Sequence, residues 1–254
     1  MRAPHQLAAE LVGTFGLVFA GTGAIIVDHQ TGALGHPGVA ITFGLVVMVM
    51  VYATGHLSGA HLNPAVTLAF AITRHLPWSR AAGYGIAQLT GALLASMLLR
   101  LLFGSTASLG ATIPRGSAGQ SLVLETVLTF YLMFVIMAVA TDSRAAGQAA
   151  AIAIGGTVGL EAMFAGPISG ASMNPARSLA PAVVSWTWQH QWVYLFGPAL
   201  GAVLGAVAYQ IVRGHQATPI ADIAEIEQSP GPHAPAGHIE FATASTDGYT
   251  EHRA

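Results

Sequence analysis

The sequence contains no cysteine and no lysine, and it has few charged residues of any kind. Charged side chains make up 8% of its 254 residues, whereas a soluble domain usually carries about 25%. Without cysteine the chain can form no disulfide, no thiolate metal site and no cysteine nucleophile. The formal net charge of −2 favours neither nucleic acid nor an acidic substrate as a partner. With 53% hydrophobic residues, the composition is typical of a membrane protein.

The motifs of intramembrane enzymes are also absent. The sequence has no His-Glu-x-x-His metal motif and no Gly-x-Ser-x-Gly elbow. His56 and His61 lie five positions apart instead of four, without a nearby acid, so they do not predict a metal site. We expect His61 to pack against the backbone of its own loop. The sequence therefore predicts neither an enzyme nor a bound cofactor or metal.

Six apolar runs are long enough to cross a bilayer core of about 30 Å. They cover about residues 7–27, 39–55, 83–103, 121–140, 147–165 and 192–212. The first run has no obvious small-residue cleavage site after it, so we expect a retained helix rather than a signal peptide.

Two copies of the pattern Gly-Ala-x-x-Asn-Pro-Ala, residues 59–65 and 170–176, lie 111 positions apart. Asn is a strong N-cap, and Pro suits the first helical position because it has no N–H to leave unpaired. Each motif opens an apolar run of 12 residues, 63–74 and 174–185. As a helix, such a run is roughly 18 Å long, little more than half of a bilayer core. The sequence therefore predicts two half-spanning helices whose N-termini face each other near the membrane midplane.

The two halves of the chain, about residues 5–115 and 120–213, repeat each other. The matched pairs are Glu10 and Glu125, Thr14 and Thr129, Phe15 and Phe130, Tyr84 and Tyr194, and Gly91 and Gly201. Each half holds three spans, an odd number, so the second copy crosses the membrane in the opposite direction. Inverted repeats with interrupted helices at matching positions indicate a solute site near the midplane.

The arginines indicate the orientation. Five of them fall on the side of the two termini and two on the opposite side: Arg2, Arg74, Arg80, Arg144 and Arg213 against Arg100 and Arg115. Because positive loops stay inside, this pattern predicts that both termini are cytoplasmic. We expect residues 1–213 to form a single transmembrane channel domain. Residues 214–254 hold four prolines and six acids without sustained periodicity, which predicts a disordered cytoplasmic tail.

With Asn63-Pro64-Ala65 and Asn174-Pro175-Ala176 in an inverted three-plus-three arrangement, the chain resembles the aquaporin (major intrinsic protein) family over roughly residues 5–213. The run 165–179 is most similar to the nodulin-26-like branch and its bacterial relatives. The resemblance implies an all-α membrane protein of six transmembrane helices and two re-entrant half helices in a right-handed bundle. It also implies a homotetramer in the plasma or inner membrane, with one pore in each subunit.

The two half helices suggest how such a pore treats charge. Each helix N-terminus carries about half a positive charge, so two facing ones oppose a cation but not a neutral molecule. This is the role already attributed to half-helix ends in aquaporin-type pores. We expect Asn63 and Asn174 to use their side-chain carbonyls as caps and to point their amide N–H groups at a passing oxygen. The segments before the two motifs, residues 56–62 and 166–173, are the lead-in loops, and their carbonyls would accept hydrogen bonds from the solute.

In the family, the residue matching Arg177 belongs to the selectivity filter, the narrow constriction on the outer side of the pore. Counting from the two Asn residues, the other filter positions are Phe43, Ala162 and Ala171. Water-selective members place a His where Ala162 stands, and glycerol facilitators typically have an Asp where this chain has Ser178. The resemblance therefore implies a filter wider than a strict water pore, which passes water, glycerol, urea or undissociated metalloid hydroxides.

Three membrane acids leave alternatives open. Glu10 and Glu125 either mark a proton relay or, as in the family, accept backbone N–H groups from the re-entrant loops. Glu161 follows no family pattern, and it lies in a polar packing pocket, at the pore edge or at a subunit contact. The main prediction is a passive channel. The alternative is a proton-coupled inverted-repeat transporter of a small neutral solute that uses these three acids.

Overall fold

The computed structural model describes residues 3–141 and 149–214, and within these ranges the chain is helical with short connections and no strand. The helices are α1 (Ala3–Thr31), α2 (Gly35–Ser58), α3 (Pro64–Ile72), α4 (Trp78–Phe103), α5 (Ala118–Thr141), α6 (Ala150–Ser169), α7 (Pro175–Ser185) and α8 (Val193–Arg213). Six of these are long and apolar enough to cross a membrane, and α3 and α7 are the two short ones. The predicted all-α architecture of six spans and two half helices is confirmed.

Most of the long helices extend a few residues beyond their predicted bounds, whereas one half helix is shorter than predicted. The helix α3 ends at Ile72 instead of Arg74, because Arg74 takes a left-handed φ of 64° and the N–H of His75 donates to Phe70 O at 2.8 Å. The predicted start of the fifth span at residue 147 lies outside the described residues, as do Arg2, Arg144 and all of the predicted tail except Gly214.

The helix α6 also continues beyond its predicted end at residue 165, through Pro167 to Ser169. Proline has no N–H, so a proline inside a helix leaves the carbonyl four residues earlier without its usual donor. That carbonyl belongs to Met163, and the Nε2 of His36 on α2 lies 2.6 Å from it. A side chain of another helix thus replaces the missing hydrogen bond, and α6 keeps its course past the proline.

The exterior of the bundle is apolar, unlike the exterior of a soluble protein. Large apolar side chains point outward, with Leu101 81% exposed and Ile211 74% exposed. The interior is rich in alanine and glycine and encloses Glu10 and Glu125, which are fully buried. An apolar exterior is stable only in contact with lipid or another apolar surface, so the distribution is that of a membrane protein.

Glycines allow the long helices to touch backbone to backbone. A β-carbon at Gly91 of α4 would lie 2.2 Å from the carbonyl oxygen of Leu11 on α1. The matched Gly201 of α8 stands in the same relation, 2.2 Å, to Thr126 on α5. Small residues permit such close contacts between membrane helices, where no hydrophobic driving force holds them together. The two matched glycines therefore make the same helix–helix contact, one in each half.

Each short helix packs against long helices of both halves. The half helix α3 packs against α4 and against α8 of the other half, and α7 correspondingly packs against α8 and α4. The N-terminal ends of α3 and α7 meet, and this arrangement brings the two Asn-Pro-Ala motifs together inside the bundle.

Candidate functional site

Each half helix begins at its asparagine. Asn63 has extended backbone angles, and its Oδ1 accepts a hydrogen bond from the N–H of Ala65 at 2.9 Å. The Oδ1 of Asn174 accepts from the N–H groups of Ala176 at 3.0 Å and Arg177 at 3.3 Å. These are the side-chain caps that the motif predicts, so the capping role of both carbonyl groups is confirmed.

The same two asparagines also hold each other's loops. The Nδ2 of Asn63 donates to the carbonyl of Met173 at 2.7 Å, and the Nδ2 of Asn174 donates to the carbonyl of Leu62 at 2.8 Å. The motif alone does not predict these reciprocal bonds, because they join residues more than 100 positions apart. Each amide group has a second N–H, and both asparagines line a cavity of the protein.

The carboxylates of Glu10 and Glu125 accept the N–H groups of the two lead-in loops. Glu10 accepts from the N–H groups of His61 at 2.9 Å and Leu62 at 2.8 Å. Glu125 accepts from Ser172 at 2.9 Å and Met173 at 2.8 Å in the same way. Re-entrant backbone is tolerable at membrane depth only if its polar groups are paired, and the two buried acids supply that pairing.

Each acid binds one further hydroxyl at a helix end. Glu10 Oε1 accepts from the hydroxyl of Ser58 at 2.7 Å, and Glu125 Oε1 accepts from Ser169 at 2.7 Å. The repeat is not complete, because Gln88 donates to Glu10 Oε2 at 2.8 Å while position 198, its counterpart by the offset of 110, is a proline.

Two tyrosines bind the last carbonyl groups of the same two helices. The hydroxyl of Tyr84 donates to the carbonyl of Ser58 at 2.8 Å, and that of Tyr194 donates to the carbonyl of Ser169 at 2.6 Å. The sequence shows that the two tyrosines recur, but it does not show which groups they bind. The structure shows that they anchor the points where α2 and α6 turn into the re-entrant loops.

His61 has aromatic neighbours in addition to the expected loop. A β-carbon at Gly59 of this loop would lie 3.4 Å from its Cδ2, and its ring also stacks on Phe70 with centroids 4.6 Å apart and meets the Tyr84 ring edge at 5.2 Å. Its Nδ1 lies 3.1 Å from the hydroxyl of Thr67. Aromatic side chains from α3 and α4 surround this loop position, and sequence spacing does not reveal that neighbourhood.

Two cavities lie along the bundle and share part of their lining, and together they form the candidate passage. The motif cavity, about 80 Å³, is lined by both asparagines and by apolar residues of α2, α5 and α6. The loop cavity, about 460 Å³, is lined by Asp28, His29 and His36 and by the connection between α4 and α5. Within the described part of the chain, four residues line both cavities: Phe43, Ala162, Ala171 and Arg177. The structure thus places together, at the junction of the cavities, the four residues that sequence counting assigns to the filter.

Arg177 is the polar member of this group. It is buried, its Nη1 donates to the carbonyl of Gly110 at 2.8 Å, and its Cζ lies 4.9 Å from the centre of the Phe43 ring. Its Nε has no hydrogen-bond partner among the described residues. An arginine has five N–H donors, so the guanidinium can hold Gly110 and still donate to a molecule in the passage.

Gly110 is a site residue that the sequence does not reveal. It lies in the connection between α4 and α5, where Ala107, Ser108 and Leu109 all have left-handed φ angles. No motif marks this segment, so its approach to Arg177 follows only from the path of the backbone.

Ser178, which stands where glycerol facilitators typically have Asp, contacts neighbouring hydroxyl groups. It lies 2.7 Å from the hydroxyl of Thr112 and 2.5 Å from that of Ser172, and it lines neither cavity. Ser178 therefore helps to hold the second lead-in loop through Ser172.

Glu161 is only 4% exposed and lines neither cavity, although the next residue, Ala162, lines both. Its Oε2 makes no hydrogen bond to any residue in the described ranges. Burial within a single chain argues against the pore edge and the subunit contact, and the pocket that remains leaves Oε2 without a partner among the described residues.

The electrostatics of the passage favour neutral solutes. Two half-helix N-termini and Arg177 concentrate positive charge there, and the three membrane acids Glu10, Glu125 and Glu161 line neither cavity. A cation would have to give up hydration next to this positive charge, whereas a neutral molecule exchanges one set of hydrogen bonds for another. An inverted repeat with two facing half helices beside a junction of two cavities is the architecture of a membrane channel.

Comparison with known proteins places the chain in a family. The family model described as Major intrinsic protein matches residues 1–209, and the chain belongs to this family. It is similar to Aquaporin NIP1-4 of Oryza sativa subsp. japonica, 57% identical over 210 residues that cover 82% of this chain and 77% of that protein. Nodulin-26 of Glycine max is 50% identical over 211 residues, covering 82% and 78% respectively. These relatives confirm the resemblance to the nodulin-26-like branch.

Among solved structures, the X-ray structure of the aquaglyceroporin from Plasmodium falciparum is similar throughout. It superposes with a TM-score of 0.74 at 26% sequence identity, covering 87% of this chain and 100% of that one. This similarity confirms the fold class. The chain is a membrane channel and not an enzyme.

Proposed function

We propose that the chain is a passive channel for water and small uncharged solutes such as glycerol, urea or undissociated metalloid hydroxides, and that it excludes protons and ions. The observation that carries this proposal is the junction of the two cavities, where one arginine faces one aromatic ring and two alanines. Arg177 supplies donors, Phe43 supplies an apolar wall, and the alanines leave room for a solute larger than water.

In this proposal Phe43, Ala162, Ala171 and Arg177 form the selectivity filter. The motifs at residues 63–65 and 174–176 form a second narrow region, where Asn63 and Asn174 present amide hydrogens to the solute. Glu10 and Glu125 have a supporting role, because both carboxylates are occupied by hydrogen bonds to the re-entrant loops.

A proton-coupled transporter remains the competing function, and the placement of the acids argues against it. A proton carrier must exchange protons with the solute pathway, yet Glu10, Glu125 and Glu161 line neither cavity. A channel only equilibrates its solute, whereas a coupled transporter accumulates it when a proton gradient is imposed.

Stopped-flow measurements on vesicles reconstituted with the full chain test the proposal, with protein-free vesicles as the control. Shrinkage in an impermeant osmolyte reports water, and reswelling in glycerol, urea or boric acid reports each solute. We expect all four to permeate without a proton gradient. Permeation of water with exclusion of the three solutes would contradict the wide filter, and uptake above equilibrium in a proton gradient would favour the transporter.

We further propose a homotetramer in the plasma or inner membrane, with a channel domain over residues 1–213 and a cytoplasmic tail over residues 214–254. Both termini would be cytoplasmic, as the five-to-two distribution of arginines indicates. Native mass spectrometry from detergent tests the tetramer, and proteolysis of the C-terminus in inside-out against right-side-out vesicles tests the orientation.

A further inference from the structure

A glycine of α1 lies directly behind the aromatic ring of the junction. Gly21 is buried, and a β-carbon at this position would lie 2.2 Å from Cε1, 2.5 Å from Cδ1 and 2.7 Å from Cζ of Phe43. Contacts below about 3 Å between carbon atoms are far inside van der Waals separation, which is optimal near 3.5–4.0 Å. The Phe43 ring therefore occupies the space that any side chain at position 21 would fill.

The open space beside the ring is that of the two cavities, because Phe43 lines both. Its own helix is packed closely against α6, since a β-carbon at Gly44 would lie 2.7 Å from the carbonyl oxygen of Gly155. This backbone contact limits a shift of α2 toward α6, so a ring displaced from Gly21 enters the cavities.

The same helix also supports the arginine. Next to Gly21, the β-carbon of Thr22 would lie 2.8 Å from a β-carbon at Gly110, whose carbonyl accepts the hydrogen bond from Arg177. Consecutive residues of α1 thus lie behind Phe43 and behind the loop that holds Arg177. Because the guanidinium carbon of Arg177 lies only 4.9 Å from the centre of the Phe43 ring, a shift of the ring would alter the position of the guanidinium.

We propose that Gly21 is a specificity-determining position, which sets the width of the junction by giving the Phe43 ring a recess in the backbone of α1. This inference rests on the proposed function, since it assumes that Phe43 and Arg177 limit the size of the permeating solute. The role of Gly21 is positional, and it acts on the solute through Phe43. A side chain at position 21 moves the ring into the passage and narrows it, so larger solutes are rejected first.

The test is Gly21→Ala in the full chain, reconstituted in vesicles, with glycerol and water permeability measured on the same preparation. We expect glycerol permeability to fall about tenfold, equivalent to about 1.4 kcal/mol in the barrier, and water permeability to fall much less. The matched control is Gly23→Ala, on the same helix. A β-carbon there would lie 3.3 Å from Leu99 on α4, and Gly23 lines neither cavity, so the ratio of the two permeabilities should stay at the wild-type value.

A double variant separates a positional role from a general defect. Phe43→Ala removes the ring that a β-carbon at position 21 would contact. Adding Gly21→Ala to this variant should therefore leave its glycerol permeability equal to that of Phe43→Ala alone. If Gly21→Ala alone does not fold, folding and conduction by the double variant still support the proposal. It is overturned if Gly21→Ala lowers both permeabilities equally, if it has no effect, or if its effect persists without the Phe43 ring.

An error in the proposed function gives a different set of permeabilities from an error in the role of Gly21. If the wild type excludes glycerol, the proposed solute range is wrong, and the effect of Gly21 is then measured on water alone. In that case Gly21→Ala should lower water permeability in the wild-type background but not in the Phe43→Ala background.

Discussion

The side-chain amide of Asn63 donates a 2.7 Å hydrogen bond to the main-chain carbonyl of Met173, in the loop that leads into the opposite half helix. The reciprocal bond from Asn174 to Leu62 measures 2.8 Å. Each asparagine therefore caps its own helix and holds the other helix's lead-in loop. This double use fixes how far apart the two helix N-termini stand, and with it the position of their positive ends.

Replacing Asn63 by Asp separates these two uses. The carboxylate still accepts from Ala65 as a cap, but it cannot donate to Met173, and it places a negative charge at the positive helix end. We expect a measurable proton or cation leak across reconstituted vesicles, detected with an internal pH dye under a potassium gradient. Loss of the buried bond should also lower the free energy of unfolding by about 1–3 kcal/mol.

Because the bonds are reciprocal, Asn174→Asp should behave in the same way as Asn63→Asp. An intact barrier to cations in both variants would contradict the assignment of charge exclusion to the facing helix ends.

Two membrane glutamates offer a matched comparison. In Glu125→Gln an amide NH₂ replaces one carboxylate oxygen, so it faces a loop N–H group, of Ser172 or Met173, that currently donates to the acid. Two donors facing each other in a buried site leave an N–H unpaired, and we expect a lower melting temperature in detergent and reduced water permeability.

Glu161→Gln is the control, because this buried side chain lines neither cavity and its Oε2 makes no hydrogen bond within the described ranges. We expect its permeabilities and their pH dependence to match the wild type. A pH response that disappears in Glu161→Gln would instead support a role of this acid at the pore.

Ala162→His tests the width of the junction. The imidazole adds bulk and a polar group where two cavities meet, so glycerol and urea permeability should fall about tenfold or more while water still passes. Ala162→Gly is the matched small variant and should conduct glycerol at least as well as the wild type. Equal glycerol permeability in the His and Gly variants would show that the narrowest point lies elsewhere.

Arg177 combines a charge with a fork of donors, and two substitutions distinguish these properties. Arg177→Lys keeps the charge, but a compact ammonium cannot reproduce the planar guanidinium that bonds the Gly110 carbonyl and lies over the Phe43 ring. We expect lower glycerol permeability with cations still excluded. Arg177→Ala removes the charge as well, so cation exclusion should weaken. Identical ion leakage in the Lys and Ala variants would contradict a charge role for this residue.

Much of the architecture follows from local sequence. The six spans are predicted by runs of apolar residues, and the start of each half helix is predicted by Asn followed by Pro, whose capping chemistry is local. The end of α6 is less predictable. Pro167 suggests a stop, but the helix continues because His36, from a different helix, bonds the carbonyl of Met163 that the proline leaves unpaired.

The filter positions are only partly predictable from the sequence. Counting from the asparagines selects Phe43, Ala162, Ala171 and Arg177, and the structure places all four at the junction of the two cavities, although their selectivity stays a prediction. The partners that hold them are not accessible to such counting. Gly110 lies in a connection without a motif, and Gly21 is one of 30 glycines in the chain.

The sequence by itself determined which segments are helical, that they suit a bilayer, and that an inverted repeat brings two capped half helices face to face. The helices and their caps depend on side-chain chemistry and on spacing within one or two helical turns, and the repeat is visible as two copies of one motif 111 positions apart. Only the tertiary structure decided that Asn63 binds Met173, that Arg177 binds Gly110 and that Phe43 rests against Gly21. Such contacts depend on where distant backbone segments approach within a few ångströms, and local periodicity carries no information about that distance.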